Sequence, residues 1–431
     1  MSRAVTKSAL VPKLRFPEFR GAGEWITEKL GSLVSISTEK VGDKTAVPMS
    51  ITSGVGLVSQ QYKFGRVIAG DSYKNYLLLK QNDFAYNKSA TKEYPEGYLA
   101  LYSDEKLAAV PNSIFTCFRI DGDSPAPQYL NYLFLGNLHG QWLRKFIQVG
   151  ARAHGSLSIN GSDLLALPVP LPKGKTSLPE QQKIADCLSS LDELIAAQAR
   201  KVDALKTHKK GLMQQLFPRE GETQPRLRFP EFRGVPDWES GSLGAIFETT
   251  SGGTPSRAEE SYWGGNIPWI TTSLVDFRVI FKADEFISVD GLKNSSAKLF
   301  PIGTVLIAMY GQGKTRGQVA LLGVDAATNQ ACAAVLPNKR IEPYFVFLNL
   351  VGRYEEFRKL SNSGGQENLS QGLIREIPFA YPADGAEQQR IATCLTSLDD
   401  LITAQIQALE TLKTHKKGLM QQLFPAAEVS A

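Results

Sequence analysis

The chain has 431 residues, of which 42% are hydrophobic and 21% charged, and its formal net charge is +5. This composition is typical of a soluble protein with roughly two to four domains, and so small a positive excess permits nucleic-acid binding without demanding it. Because no signal peptide, no apolar run of membrane length and no C-x-x-C pair occurs, we expect a cytoplasmic protein with buried, reduced thiols.

The first recognisable motif is an octapeptide near the N-terminus. The sequence Leu-Arg-Phe-Pro-Glu-Phe-Arg-Gly occupies Leu14–Gly21 and returns unchanged at Leu227–Gly234. Each copy is followed by about 150 residues with little similarity between them. The repetition therefore indicates one scaffold that carries two different globular units.

The first globular unit is predicted from about Trp25 to Pro172. Short apolar runs between Gly, Asn, Ser and Tyr turns indicate strands with some helix, and Ser113–Ile120 is a predicted strand. Two segments have residue types suited to base edges and phosphates. They give the candidate DNA-binding residues Tyr86, Asn87, Lys88, Lys92, Arg152 and His154. The alternative, that these are ordinary solvated turns, stays open.

A long helix is predicted after each globular unit. Residues Glu180–Pro218 and Glu387–Pro425 match at 28 of 39 positions without a gap. Apolar residues recur at alternating steps of four and three, which is typical of a coiled-coil seam. The seam positions are Ile184, Leu188, Leu191, Ile195, Gln198, Val202 and Leu205 in the first copy, and Ile391, Leu395, Leu398, Ile402, Gln405, Leu409 and Leu412 in the second.

The second globular unit is predicted from about Trp238 to Pro382, with strands at Thr304–Met309 and Gln318–Leu322. Its basic, polar and Gly-rich loops also look suited to DNA, because Arg, Lys, Asn and Gln can bond base edges and phosphates and Gly lets a backbone approach a ligand. The candidate DNA-binding residues are Thr254, Tyr310, Gln312, Lys314, Thr315, Arg316, Asn329, Gln330 and Gln366. Solvated turns are again the alternative.

Chain order predicts how the helices run. The first helix leads from the first unit to the second, so a pseudo-two-fold repeat requires the second helix to return. We therefore expect an antiparallel pair, with the first octapeptide beside the end of the second helix. About 39 residues at roughly 1.5 Å each give a rod of nearly ~60 Å.

Catalytic signatures are missing from the sequence. Gly313-Lys314-Thr315 resembles the end of a P-loop, but Ala308 occupies the position where that motif needs its first glycine. We find no aminomethyltransferase motif, no Gly-rich cofactor loop and no metal-binding spacing among the four histidines. The sequence favours a binding protein that relies on partners for chemistry.

The end of each long helix, Thr-His-Lys-Lys-Gly-Leu-Met-Gln-Gln-Leu-Phe-Pro, resembles the specificity subunits of type I restriction-modification systems. Ser251–Pro255, Trp263–Trp269, Gly303–Ile307 and Asn329-Gln330 are similar to the target-recognition domains of that family. The first unit departs from the Ser-Gly-Gly-Thr-Pro pattern. The resemblance covers nearly the whole chain.

The resemblance implies a non-catalytic subunit whose two recognition domains each read half of a split DNA target. The helices would set the unread gap and dock two methyltransferase (modification) subunits, and restriction and translocase subunits would complete the complex. S-adenosylmethionine, ATP and Mg are expected in the partner subunits, and no cofactor or metal in this chain. The alternatives are a coiled-coil scaffold that does not read DNA and a stand-alone DNA-modifying enzyme.

The expected fold is α+β, with two globular recognition domains built on twisted mixed sheets and an antiparallel coiled coil of two long helices. The expected segments are recognition domain one (1–177), the first helix (178–218), recognition domain two (219–384), the second helix (385–425) and a tail (426–431).

Overall fold

The computed structural model describes residues 10–52, 54–89, 91, 94–147, 157, 159–219, 221–311, 314–360 and 368–425. The chain divides into two compact units. Unit 1 comprises Met1–Gln198 and Ala408–Ala431, and unit 2 comprises Ala199–Gln407. Unit 1 is therefore assembled from the two ends of the chain.

Unit 1 contains the first ten strands. They are β1 (Ile26–Lys29), β2 (Val34–Ser37), β3 (Val47–Thr52), β4 (Gly56–Ser59), β5 (Leu77–Leu79), β6 (Phe84–Asn87), β7 (Tyr98–Leu101), β8 (Ala108–Val110), β9 (Phe115–Ile120) and β10 (Pro168–Leu171). The helices that begin in this unit are α1 (Gln60–Phe64), α2 (Pro127–Leu135), α3 (Leu138–Leu143), α4 (Gly161–Leu165) and α5 (Ser177–Leu216).

The strands of unit 1 form two four-stranded sheets and a short ribbon. The sheet orders are β2-β9-β6-β7 and β4-β3-β8-β5, and β1 pairs with β10. The first sheet is antiparallel, whereas β3 and β8 run parallel in the second. Helix α2 packs Tyr129, Leu130 and Leu133 into the main core together with Phe84 and Phe118. Residues on both faces of the sheet are buried, and for this reason the sequences of its strands are short apolar runs.

Unit 2 contains the remaining strands. They are β11 (Glu239–Ser242), β12 (Thr249–Ser251), β13 (Trp263–Ile270), β14 (Val279–Ile280), β15 (Glu285–Ile287), β16 (Leu299–Phe300), β17 (Val305–Ala308), β18 (Val319–Leu322), β19 (Ala326–Thr328), β20 (Cys332–Val335) and β21 (Pro378–Tyr381). The helices that begin here are α6 (Leu243–Ile246), α7 (Val289–Lys293), α8 (Pro343–Gly352), α9 (Tyr354–Leu360), α10 (Gln371–Glu376) and α11 (Gly385–Leu423).

The sheets of unit 2 repeat the plan of unit 1. Their orders are β12-β20-β17-β18-β14 and β15-β13-β19-β16, with a separate β11-β21 ribbon. The predicted strands at 113–120, 304–309 and 318–322 are observed as β9, β17 and β18, each within two residues of its predicted ends. The proline-containing runs that precede the long helices are β10 and β21, where proline is tolerated because each lies in a two-stranded ribbon.

The two long helices run in opposite senses within each unit, which confirms the predicted antiparallel pair. In unit 1 the start of α5 shares a core with the end of α11, and Lys416 Nζ lies 2.5 Å from Asp192 Oδ1. In unit 2 the same contact recurs between Lys209 and Asp399, also at 2.5 Å. In both cases the residue numbers sum to 608, which is the constant sum expected of one antiparallel register.

The seam residues named above are all buried or half-buried, whereas His208 and His415 are exposed. This is the burial pattern of an a/d stripe. Of the four cysteines, Cys117 and Cys332 are buried, while Cys187 and Cys394 on the long helices are half-buried, and all four are free thiols.

In each unit the octapeptide is hydrogen-bonded to the end of a long helix. Leu14 N–H donates to Gln422 O at 2.9 Å in unit 1, and Leu227 N–H donates to Gln215 O at 2.8 Å in unit 2. The first octapeptide therefore lies beside the end of the second long helix, as the sequence predicts.

The arginine of each octapeptide holds a glutamate in the first turn of a long helix. Arg15 binds Glu180 through two hydrogen bonds of 2.7 Å, and Arg228 binds Glu387 at 2.8 and 2.7 Å. Both glutamate side chains are only 1% exposed. The sequence placed these glutamates at the helix N-terminus for the helix dipole alone, and the structure adds a buried, bidentate partner.

Candidate nucleic-acid interface

Three loops of unit 2 meet at one end of its five-stranded sheet. The Ser251–Pro255 segment follows β12, Asn329 and Gln330 precede β20, and the 309–318 loop joins β17 to β18. Met309 N–H donates to Ala331 O at 2.8 Å, which ties the hairpin loop to the Asn329 loop. These loops contain all the described DNA-binding candidates of unit 2.

The Ser251–Pro255 segment packs directly on the loop that follows β19. Gly253 N–H donates to Thr328 O at 2.8 Å. A Cβ on Gly252 would lie 2.1 Å from that same Thr328 oxygen, so only glycine permits this approach. Thr254 Oγ1 donates to Gln330 Oε1. The pair leaves the Gln330 amide nitrogen on an exposed side chain, where it can donate to a base edge.

Asn329 is half-buried and shapes its own loop. Its Oδ1 accepts a hydrogen bond from Ala331 N–H at 3.1 Å, and its N–H donates to Ile270 O at 3.1 Å. An Asx turn of this kind fixes the direction of the next residue. Asn329 therefore orients Gln330.

A cation–π cluster supports the same segment, and the sequence did not single it out. The Arg257 guanidinium lies 3.6 Å from the Trp263 ring centroid, and Trp263 packs edge-on against Trp269 at 5.1 Å. Trp269 Nε1 donates to Gly253 O at 3.0 Å. Glu285 binds Arg257 at 2.5 Å. The two tryptophans, quoted above only for their family resemblance, were the available signal for this site.

The 309–318 loop presents basic and aromatic groups. Tyr310 is 40% exposed and Lys314 is exposed, whereas Thr315 and Arg316 are half-buried. Tyr354 Oη donates to Lys314 O at 2.6 Å, which anchors the loop while leaving the lysine ammonium in solvent. Gln312 and Gln366 lie outside the described residues.

The candidates of unit 1 are less favourably placed. Tyr86 is 1% exposed in the central strand β6, and its hydroxyl donates to Glu96 O at 2.6 Å. Burial raises the pKa of Tyr86 well above its usual range. β6 is paired on both edges and covered on both faces, so Tyr86 is a core residue and is left out of the interface that we propose.

Asn87 and Lys88 follow Tyr86 at the end of β6. Asn87 is buried and its Oδ1 accepts from Ser89 N–H at 2.9 Å, so its side chain shapes the turn. Lys88 is half-buried, and its backbone bonds to Ile114 and Leu157. Lys92, Arg152 and His154 lie outside the described residues.

The described residues contain no group of three or more His, Cys, Asp or Glu side chains that could hold a metal ion. None of the helices described here has both the length and the apolar composition of a membrane span.

The known proteins to which this chain is similar share one description. Residues 236–411 match the family model described as the type I restriction modification DNA specificity domain. The chain is 31% identical over 193 residues to the Type I restriction enzyme MjaIX specificity subunit of Methanocaldococcus jannaschii, an alignment that covers 44% of each protein. It is 26% identical over 249 residues to the EcoR124I/EcoR124II specificity subunit of Escherichia coli, covering 56% of this chain and 58% of that protein. These alignments thus span about half the length of the two relatives.

Solved structures agree with the fold. A chain from a study of complex assembly and conformational transition of the type I R-M system superposes with a TM-score of 0.61, at 16% sequence identity, over 93% of this chain and 98% of that chain.

Proposed function

We propose that this chain is a specificity subunit of the type I restriction-modification family and that it selects the DNA sequence on which a partner methyltransferase acts. The observation that carries this proposal is the repeated contact set that frames two dissimilar units. Each unit has one Arg–Glu clasp, which is the ion pair Arg15–Glu180 in unit 1 and Arg228–Glu387 in unit 2, and one Lys–Asp pair between the long helices. The loops at the sheet ends differ between the two units. A constant frame with variable loops suits a protein that reads two different half-sites.

In unit 2 we assign the reading surface to the three converging loops. Thr254 and Asn329 would hold Gln330 against a base edge, because an amide can bond adenine in two places. Lys314 would bind phosphate, and Tyr310 offers an exposed ring on the same loop. Arg316 and Thr315, on the same loop, are proposed as further contacts. Phosphate contacts position the protein and base contacts specify the sequence.

The partners follow from the same proposal. Two methyltransferase subunits would dock on the long helices, and restriction subunits would join the complete complex. S-adenosylmethionine, ATP and Mg would bind to those partners. This chain would supply no catalytic group.

One experiment separates this proposal from its alternatives. The chain is purified with its methyltransferase subunit, and methylated sites are mapped on a library of DNA duplexes. We expect a target of two short blocks separated by an unread gap. A continuous target would contradict the split reader, and salt-insensitive or absent DNA affinity would favour a scaffold. Transfer of labelled methyl groups by the isolated chain would contradict a non-catalytic role.

The helices allow a second test of the gap. One heptad added to both α5 and α11 lengthens the pair by about 10 Å, or roughly three base pairs. The unread gap should grow by the same amount, and an unchanged gap would show that the helices do not set it.

Lys314→Ala tests the reading surface. We expect weaker binding, by about 1 kcal/mol, and a smaller salt dependence for the half-site read by unit 2. The matched control is Lys359→Ala, a lysine of unit 2 on α9 outside the three loops. Equal loss at both half-sites, or an equal effect of the control, would indicate a general loss of positive charge.

A further inference from the structure

The corresponding main sheets of the two units differ at one edge. In unit 2 the order is β12-β20-β17-β18-β14, whereas in unit 1 it is β2-β9-β6-β7. Strand β14 thus covers the outer edge of β18. Among the described residues, no strand covers the equivalent edge of β7.

The two edges can be aligned residue by residue. Asn82 N–H donates to Tyr102 O at 2.8 Å, and Gly303 N–H donates to Leu322 O at 2.9 Å. Asn82 and Gly303 both have positive φ, at 69° and 87°. A residue with positive φ that donates across to the neighbouring strand therefore precedes both β6 and β17. The two acceptors, Tyr102 and Leu322, are equivalent positions.

In unit 2 the outer edge of β18 is hydrogen-bonded by the β14 segment. Leu321 N–H donates to Arg278 O at 3.0 Å, and Gly323 N–H donates to Ile280 O at 2.9 Å. The two strands run parallel. The outward-facing backbone groups of this edge are therefore satisfied within the chain.

In unit 1 the corresponding groups are Leu101 N–H and Ser103 N–H. Tyr102 N–H donates to Asp83 O at 2.8 Å, and backbone groups alternate along an antiparallel strand, so the N–H groups of Leu101 and Ser103 point away from β6. Within the described residues neither has a hydrogen-bond acceptor. Leu101 is half-buried and Ser103 is exposed.

A groove of about 420 Å³ runs along this edge. It is lined by β7 up to Ser103, by residues around Gly54 between β3 and β4, and by α2. The lining residues of α2 are polar at Gln128 and Asn131 and apolar at Leu135. Asp192 and Lys416 of the long helices also line the groove.

We infer that the open edge of β7 binds an extended segment of the methyltransferase subunit, which pairs as a fifth, parallel strand where unit 2 uses β14. An unpaired strand edge recognises backbone N–H and C=O groups in alternation, which a peptide supplies and DNA does not. Side chains of the segment that face Gln128 and Asn131 would be polar.

The choice of partner rests on the proposed function. The groove continues onto Asp192 and Lys416, and the helices that carry them are the surface that we assign to the methyltransferase subunit. A restriction subunit or a second copy of this chain would be revealed as the occupant by the same test.

Ser103→Pro is the test variant. Proline removes the N–H and places a ring carbon in the path of an incoming strand, while Ser103 O can still accept from Gln81 Nε2. We expect its dissociation constant for the methyltransferase subunit to rise about tenfold. Ser103→Ala keeps the N–H and is the matched control, with an expected change under about twofold. An unchanged melting temperature verifies the fold of both.

A second variant fills the groove from within the chain. Residues 53–55, which connect β3 to β4 along the chain, are replaced by Thr271–Asp284, the connection that carries β14 in unit 2. The graft should compete with the partner strand and weaken the complex. Amide hydrogen exchange on the full chain completes the test, with slower exchange at Leu101 and Ser103 expected only when the methyltransferase subunit is bound.

The outcomes separate this inference from the proposed function. If the complex forms and reads a split target, but Ser103→Pro binds normally and both amides exchange freely, the strand site is refuted and the function stands. Protection by duplex DNA alone, by a restriction subunit or by self-association refutes the assigned occupant. If no complex with a methyltransferase forms at all, the proposed function fails first.

Discussion

The main sheets of units 1 and 2 have the same strand order but differ at one edge. In unit 2 an additional strand closes the main sheet, and the Ser251–Pro255 segment packs on the Thr328–Gln330 loop. In unit 1 the corresponding sheet edge stays open among the described residues, and no Ser-Gly-Gly-Thr-Pro segment occurs. Both units share their contacts with the long helices, which are an Arg–Glu ion pair and a Lys–Asp ion pair in each. The comparison teaches that the frame is fixed by its contacts with the helices, while sheet edges and loops are free to differ.

The largest predicted effect comes from breaking a clasp that both units share. Arg228→Ala leaves Glu387 buried without its partner, although Trp238 Nε1 still donates to Glu387 at 3.2 Å. Removing one member of a buried ion pair costs about 3–5 kcal/mol, because the remaining charge is not solvated. Chemical denaturation of the full chain, followed by tryptophan fluorescence, measures the loss.

The control is a second ion pair between the same octapeptide and α11. Arg390 binds Glu231 at 3.2 Å, and both side chains are about half-exposed. Arg390→Ala should therefore cost under about 1 kcal/mol. Similar losses from Arg228→Ala and Arg390→Ala would contradict the role given to burial.

Acid should weaken unit 1 before unit 2. His139 is 2% exposed, and burial lowers its pKa to about 4 from an ordinary value of 6.5. The folded state thus holds His139 neutral, and the unfolded state binds the extra proton. Stability is complete above pH 6.5 and falls as the pH drops towards 4, by about 3 kcal/mol in total.

Unit 2 is the internal control for this pH dependence, because its only histidine, His208, is exposed on α5. Hydrogen exchange between pH 7 and pH 4, with exchange times corrected for intrinsic rates, would follow β6 in unit 1 and β17 in unit 2. His139→Leu should flatten the pH dependence of unit 1. An equally steep response in that variant would assign the acid sensitivity to other groups.

The smallest predicted effect is the coupling within each helix–helix ion pair. In unit 1 Tyr132 Oη also donates to Asp192 at 2.8 Å, and Lys416 Nζ lies 5.0 Å from the Tyr132 ring centroid. Lys209 has no ring contact within the described part of unit 2. The pairs are partly exposed, so double-mutant cycles should give about 1 kcal/mol in unit 1 and less in unit 2.

Charge reversal checks this coupling without deleting a side chain. Lys416→Glu should destabilise unit 1, and adding Asp192→Lys should restore most of the loss. If the double variant is no more stable than the single one, the contact contributes through packing rather than charge.

The sequence was sufficient for the two long helices and for three strands, β9, β17 and β18. A heptad seam kept over two copies predicts a helix pair, and the chain order fixes its antiparallel sense. It was less informative about which candidate residues reach the surface. Tyr86 stands in a Tyr-Asn-Lys segment that suggests an exposed loop, yet β6 is a central strand buried on both faces. Apolar alternation, the usual guide to the exposed face, is missing from such a strand.

The sequence by itself determined the repeat and the antiparallel helices, because these follow from periodic spacing and from identical segments along the chain. Only the tertiary structure decided that Arg15 and Arg228 hold the helix starts, that Arg257 stacks on Trp263, and that no strand among the described residues covers the outer edge of β7. Each of these is a contact between residues distant along the chain or a partner missing from a described edge. Local patterns constrain backbone conformation, whereas such contacts depend on which elements the fold brings together.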